Sequence, residues 1–494
     1  MKNKNILLTG ATGYVGGHLL KHLERDGYRV NCLVRKPESL TTVSDRTRVF
    51  KGDVMEPDSL SRAFDSIDVA FYLIHSLNDG NDFAEREKQA AMNFVEAARF
   101  AGTRRIIYLG GLGREEDGLS SHLRSRQEVG RILRESGIPT IELRASIVLG
   151  AGSISFEMIR SLTEHLPFMV TPKWVSVEAQ PISIGDLVEY LAASIDQPLE
   201  ESMVVEIGGK DRVSYRALME EYARQRGLKR IMIPVPVLTP WLSSHWLGLI
   251  TPVYAEVGRK LIEGVKNRTV VEHPEPAARY AVRPCGMAEA IRRALDDERR
   301  EFEQGNWIRH VAENDRKEGH RIIHHHHLLL DYWCSHTEAS TKALYDTVTA
   351  FGGSKGMFAW NSLWRLRAWL DRCMGGRSGV TNQAEAEGPM EMGKQVDFFH
   401  VEILDENRRV RLKTDMKLPG EAWLEFGIER GQKGSCLHHV IIYEPKGLLG
   451  LIYWYAIYPV HALVFRGMHR AILREALSET TERLLHQPLP NRLS

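Results

Sequence analysis

One short stretch limits this chain more than any other: Thr9-Gly10-Ala11-Thr12-Gly13-Tyr14-Val15-Gly16, between the apolar run Ile6–Thr9 and a helical pattern from Gly16 to Asp26. Glycines at these three positions have distinct steric uses. Gly10 permits a tight turn, Gly13 lets a bulky anion approach the backbone, and Gly16 lets the helix lie close to the strand. The unpaired amides and positive dipole end of that helix then form an anion site. Strand, glycine turn and helix together predict a pyrophosphate cradle made of Gly10, Ala11, Thr12, Gly13, Tyr14, Val15 and Gly16, with a dinucleotide as its ligand.

The pattern continues beyond the turn. Strand-like runs at 29–34, 47–51, 69–74, 105–109 and 140–144 alternate with helical patterns at 58–63, 83–101 and 126–136. That rhythm predicts an α/β Rossmann domain, a doubly wound parallel sheet with helices on both faces. Ligands of such sheets bind at the carboxyl ends of the strands. Cys32-Leu-Val-Arg35-Lys36 closes the second strand with a base where NAD-binding units place an acid. Arg35 suits a ribose 2′-phosphate, so NADP(H) is the expected cofactor, with NAD(H) as the alternative. Asp53 and Val54 close the third strand, with Asp53 placed to accept from the adenine amino group. Leu73, Ile74 and His75 close the fourth and complete the expected cofactor-contact set.

At 494 residues the chain exceeds one ordinary core. After Gly150 the rhythm loosens, and Pro234, Pro236, Pro240 and Pro252 punctuate short helices. The expected organisation is a Rossmann domain at 1–304, including a substrate subdomain at about 151–304, then a polar linker at 305–325. An α+β domain at 326–494 follows, with strands around 396–404, 408–416, 421–429 and 436–443 and a closing helix at about 461–486. Net charge is +1, with 65 basic and 64 acidic residues, a balance that offers no field for nucleic acid. Five widely separated cysteines show no metal-ligand spacing and predict free thiols in a reducing compartment. No metal site is expected; the His324–His327 tract would place alternate side chains on opposite faces of a strand. Trp360, Trp364 and Trp369 fall at near-helical spacing, and Trp241, Trp246 and Leu247–Ile250 form an apolar patch. The start of the chain reads as free of a secretory signal, which predicts a cytoplasmic protein. Gly447 to Phe465 carries no formal charge and reaches membrane-spanning length. Pro459, His461 and scattered aromatics favour a buried strand-turn-helix there, with association at the inner-membrane surface and a true membrane span as the alternatives.

TGATGYVG, the Val34-Arg35 ending, GDV at 52–54 and LRASIVLGAG at 143–152 resemble the atypical branch of the short-chain dehydrogenase/reductase superfamily, over about residues 5–300. The remainder resembles an uncharacterised bacterial domain, with elements similar to a helix-grip (START-like) fold. Active members of the superfamily use a serine and a Tyr-x-x-x-Lys pair, which the resemblance aligns with Gly110, His122 and Arg126. His122 would act as acid or base, and Arg126 one turn away would disfavour its cationic form. Ser120, Ser121 and Ser125 are candidate hydroxyls. The resemblance implies an NADP(H)-dependent oxidoreductase acting on a small, apolar, carbonyl-like molecule. A non-catalytic dinucleotide-binding scaffold or redox sensor is the alternative, because serine, tyrosine and lysine are all replaced.

Overall fold

The structure is a computed structural model that describes residues 4–40, 43–75, 83–114, 118–234, 266–305, 318–325, 327–350, 389–431 and 434–485. The chain divides into two compact units, Met1–Gln304 and Gly305–Ser494. The patches around Trp241 and Trp246 and around Trp360–Trp369 lie outside the described residues.

The first unit is built on β1 (Asn5–Thr9), α1 (Tyr14–Arg25), β2 (Arg29–Val34), β3 (Thr47–Lys51), β4 (Val69–Tyr72), α2 (Phe83–Phe100), β5 (Arg105–Gly111), α3 (Ser121–Arg134), β6 (Thr140–Ala145) and β7 (Met203–Ile207). All strands pair in parallel, in the order β7-β6-β5-β4-β1-β2-β3. Strand alternation builds two cores. Ile6 and Leu8 face Leu19, Leu20 and Leu23 of α1 with Leu187 and Leu191, whereas Leu7 faces Phe94 of α2 and Leu133 of α3. The helix expected from Arg126 begins earlier, at Ser121, because the Ser120 hydroxyl accepts from the Leu123 amide at 3.3 Å and caps it. That cap places His122 in the first turn.

Beyond Gly150, α4 (Ile154–His165), α5 (Ile184–Ala193), α6 (Tyr215–Gln225) and α7 (Met287–Gln304) follow. Phe156, Ile159, Leu218, Tyr222 and Ile291 form a third core. Beside it, buried Arg160 meets both carboxylate oxygens of Glu298 at 2.8 Å and Glu157 at 3.2 Å.

The second unit contains β8 (Gly319–His325), β9 (Leu328–Thr337), α8 (Thr341–Thr349), β10 (Gln395–Val396), β11 (Phe399–Asp405), β12 (Arg409–Thr414), β13 (Gly420–Arg430), β14 (Ser435–Pro445) and α9 (Gly447–Leu485). Its sheet is antiparallel, in the order β8-β9-β14-β13-β12-β11-β10. Two expectations change here. The stretch read as linker to residue 325 contributes an edge strand from Gly319 onward, hydrogen-bonded along β9. Residues 447–465 are not a buried strand-turn-helix but the start of α9, which runs unbroken through Pro459. Helix α9 buries Trp454, Phe465, Met468 and Ile472 in the unit's core, while Leu448, Leu449, Ile452, Tyr455 and Leu463 stand exposed. Both faces are apolar, which hid the helical period.

Candidate functional site

The glycine turn adopts the geometry that its spacing demands. Gly10 has φ +74°, and its amide neighbourhood is crowded: a Cβ there would lie 2.6 Å from the Leu73 carbonyl oxygen. The Gly13 amide donates to the Gly10 carbonyl at 2.9 Å, closing the turn. A Cβ on Gly16 would fall 2.0 Å from that same Gly10 oxygen, so only glycine lets α1 start this close to β1. The helix carries no acid in its first turn. Among the described residues, no side chain caps the amides at its start. Thr12 and Gly13 are exposed, Ala11 and Gly16 are buried, and Val15 packs against the core, so this segment offers mainly backbone. Tyr14 is half-buried; its hydroxyl has no hydrogen-bond partner and sits where a Cβ on Gly150 would be. Burial pushes its ionisation well above the ordinary phenol range.

Arg35 is exposed at the end of β2. Asp53, half-buried after β3, accepts from the Met55 amide at 3.0 Å, which fixes the turn. The Val54 side chain belongs to the core, and its carbonyl accepts from Asn93 at 2.8 Å. The Leu73 amide donates to the Thr9 hydroxyl at 3.3 Å, tying the end of β4 to the glycine turn. Ile74 packs against the core on the α2 and α3 side.

His75 and His122 come together. Because β4 and β5 pair with Tyr72 opposite Tyr108, the residue after β4 and the first turn of α3 share one edge. The two rings lie 4.7 Å apart with a 43° tilt. His75 Nδ1 is 3.1 Å from Glu87 Oε1, and the other Glu87 oxygen accepts from the Ser125 hydroxyl. Glu87 and Ser125 are buried. Glu87 was missed in the sequence, although its signal is present: Glu87, Ala90, Ala91 and Phe94 share the buried face of α2, and a carboxylate on such a face needs partners.

Arg126 has a different setting. Its guanidinium donates to the Leu109 carbonyl and lies 5.8 Å from the Tyr108 ring centre, while the Tyr108 hydroxyl donates to the Arg126 carbonyl at 2.9 Å. It ties α3 to β5. Gly110 stands at the serine position, and a side chain there or at neighbouring Gly111 would first meet the ends of flexible side chains. A Cβ on Gly111 would lie 2.8 Å from Leu123, and one on Gly110 would lie 3.0 Å from the Glu142 carboxylate.

A parallel sheet ordered in this way, with an uncapped glycine turn and titratable groups on its carboxyl edge, defines a Rossmann-type NAD(P)H-binding unit. Residues 10–148 match the family described as NAD(P)H-binding, and residues 323–468 match the one described as protein of unknown function (DUF2867). The chain is similar to a ceramide reductase of Caulobacter vibrioides, 25% identical over 262 residues, which are 51% of this chain and 82% of that protein. It is also similar to an anthocyanidin reductase of Arabidopsis thaliana, 25% identical over 120 residues, 22% of this chain and 35% of that one. The fold of the first unit is shared with the solved triphenylmethane reductase of Citrobacter sp., with a TM-score of 0.50, 21% identity, and coverage of 59% of this chain and 99% of that one. The two relatives similar in sequence and the protein that shares the fold of the first unit are all named as reductases.

Proposed function

We propose that the protein is an NADP(H)-dependent reductase of an apolar carbonyl compound, with His122 as the proton donor. The observation that carries this reading is the His75–His122 pair on the carboxyl edge, next to the backbone that the glycine turn touches. When bound, the cofactor supplies a hydride to the carbonyl carbon; the oxygen then needs one proton. An imidazole in the first turn of α3 is placed to give that proton. Glu87 holds His75 through Nδ1, which orients its ring against His122. Arg126 positions the helix rather than touching substrate. Arg35 supports NADP(H) over NAD(H), since an exposed guanidinium at this strand end can pair with a 2′-phosphate.

The apolar substrate class is supported by the relative named for reducing ceramide, a lipid. It is also supported by a cavity of about 260 Å³ in the second unit, lined by Phe399, Trp423, Tyr443, Trp454, Val460 and Phe465. The exposed stripe Leu448, Ile452, Tyr455 and Leu463, on an uncharged half of α9, supports contact with a membrane surface of a protein that resides in the cytoplasm. The test is NADPH oxidation by the full chain with long-chain ketones presented in vesicles. Turnover that His122→Phe abolishes without weakening NADPH binding supports the assignment. NADPH binding with no oxidation of any presented carbonyl favours the scaffold instead, a reading that Gly110 at the serine position supports.

A further inference from the structure

Strands β9 and β14 pair with Cys334 opposite His438 and His336 opposite Cys436, so Cys334, Cys436 and His438 emerge from one face of the second sheet. The separation of the cysteines along the chain, which gives no metal-ligand spacing, conceals this arrangement. The two sulfurs are 3.2 Å apart, and one imidazole nitrogen completes a trio of ligand atoms all within 4.8 Å of one another. All three side chains are buried. His438 Nδ1 is 2.7 Å from the buried Tyr332 hydroxyl. Nε2 has no hydrogen-bond partner among the described residues and lies 3.7 Å from the carboxylate of Glu429, which sits opposite Cys436 on β13.

An unsatisfied ring nitrogen buried beside two thiols costs desolvation energy that a ligand would recover. We propose that Cys334, Cys436 and His438 bind a thiophilic divalent metal, zinc above all, as a clamp between β9 and β14. Two sulfurs and one nitrogen form a soft donor set that fits tetrahedral zinc. With zinc–sulfur bonds of about 2.3 Å the sulfurs would stand roughly 3.8 Å apart, a small rotation of each side chain from where they are. Binding releases both thiol protons and leaves the fourth position to Glu429 or water. The Tyr332 hydroxyl on Nδ1 supplies the outer hydrogen bond that orients a ligating histidine.

The test uses the full chain, purified without a histidine tag and without chelator. Elemental analysis is expected to find one zinc per chain. Replacement by Co²⁺ is expected to give the ultraviolet thiolate-to-cobalt charge-transfer band, which the His324–His327 tract cannot produce. Cys334→Ser and Cys436→Ser are expected to lose the band, with a cooperative denaturant transition followed by the fluorescence of the second unit's tryptophans reporting that it still folds. Absence of both zinc and the cobalt band in the parent protein overturns the proposal, as does a Cys334–Cys436 disulfide in peptide maps of protein prepared under reducing conditions. Because the readouts are metal content and a thiolate band, failure of the reductase reading leaves them unaffected.

Discussion

Replacing Gly16 by alanine puts a methyl group where no methyl fits. The added Cβ would lie 2.0 Å from the Gly10 carbonyl oxygen, 2.7 Å from its carbon and 3.1 Å from the Ala11 Cα. All three are backbone atoms, so no side chain can rotate away. An ordinary carbon–oxygen contact needs about 3.2 Å, so α1 and the turn must separate by roughly 1.2 Å. A shift of that size removes the helix amides from hydrogen-bonding range of a bound pyrophosphate. Losing two charge-assisted bonds at about 1.5 kcal/mol each weakens NADPH binding by about 3 kcal/mol, or roughly 150-fold. Overpacking costs a further 1–3 kcal/mol or so of stability. The neighbouring glycine gives the control. A Cβ on Gly17 meets only the Ala11 carbonyl oxygen, at 3.5 Å, and alanine is favoured over glycine inside a helix by about 1 kcal/mol. Gly17→Ala should therefore bind NADPH normally and melt no lower than the parent. Fluorescence titration with NADPH, paired with thermal unfolding, reads both quantities. Parent-like affinity in Gly16→Ala, or equal losses in the two variants, would refute the steric reasoning.

Other consequences are equally open to measurement. Arg35→Ser should weaken NADPH by about 10- to 100-fold through loss of the guanidinium–phosphate pairing while leaving NADH nearly unchanged, as competitive titrations would report. Arg160→Met removes the buried cation that Glu157 and Glu298 share and should cost about 3–5 kcal/mol in denaturant unfolding, whereas replacing all three by apolar residues should cost far less. Burial holds His469 neutral in the folded protein, its pKa lowered to about 4, and its Nε2 meets the Ser335 hydroxyl at 2.9 Å. Above its unfolded value of about 6.5 both states are neutral; below it only the unfolded chain takes the proton. His469 alone should therefore contribute a fall of about 2 kcal/mol in the stability of the second unit between about pH 7.5 and about pH 5, with buried His439, whose pKa is also lowered, adding to it in the same direction. His469→Phe should flatten that slope in denaturant melts, and an unchanged slope would exclude this histidine as its source.

The parts legible in the sequence were those determined locally. The glycine turn is set by φ angles and close backbone approaches that the three glycines alone permit, and strand–helix alternation announces the parallel sheet. What remained hidden depended on pairing. His75 and His122 were each visible as strand-end and helix-start residues, but their meeting depends on β4 lying beside β5. Glu87 escaped notice because its role comes only from the groups facing α2. Cys334 and Cys436 meet through a strand register that no spacing encodes. In α9, Pro459 read as a break, yet a proline within a long helix removes one hydrogen bond while the packing of Trp454 and Phe465 on either side persists.

The central claim is that the glycine turn and the two histidines serve one bound cofactor. A crystal structure of the full chain with NADP⁺ tests it most directly. The account predicts the pyrophosphate on the amides of residues 11–16, the 2′-phosphate on Arg35, and the nicotinamide C4 beside the His75–His122 pair. A nicotinamide directed away from both imidazoles, with the pyrophosphate still in the glycine turn, would contradict the catalytic account.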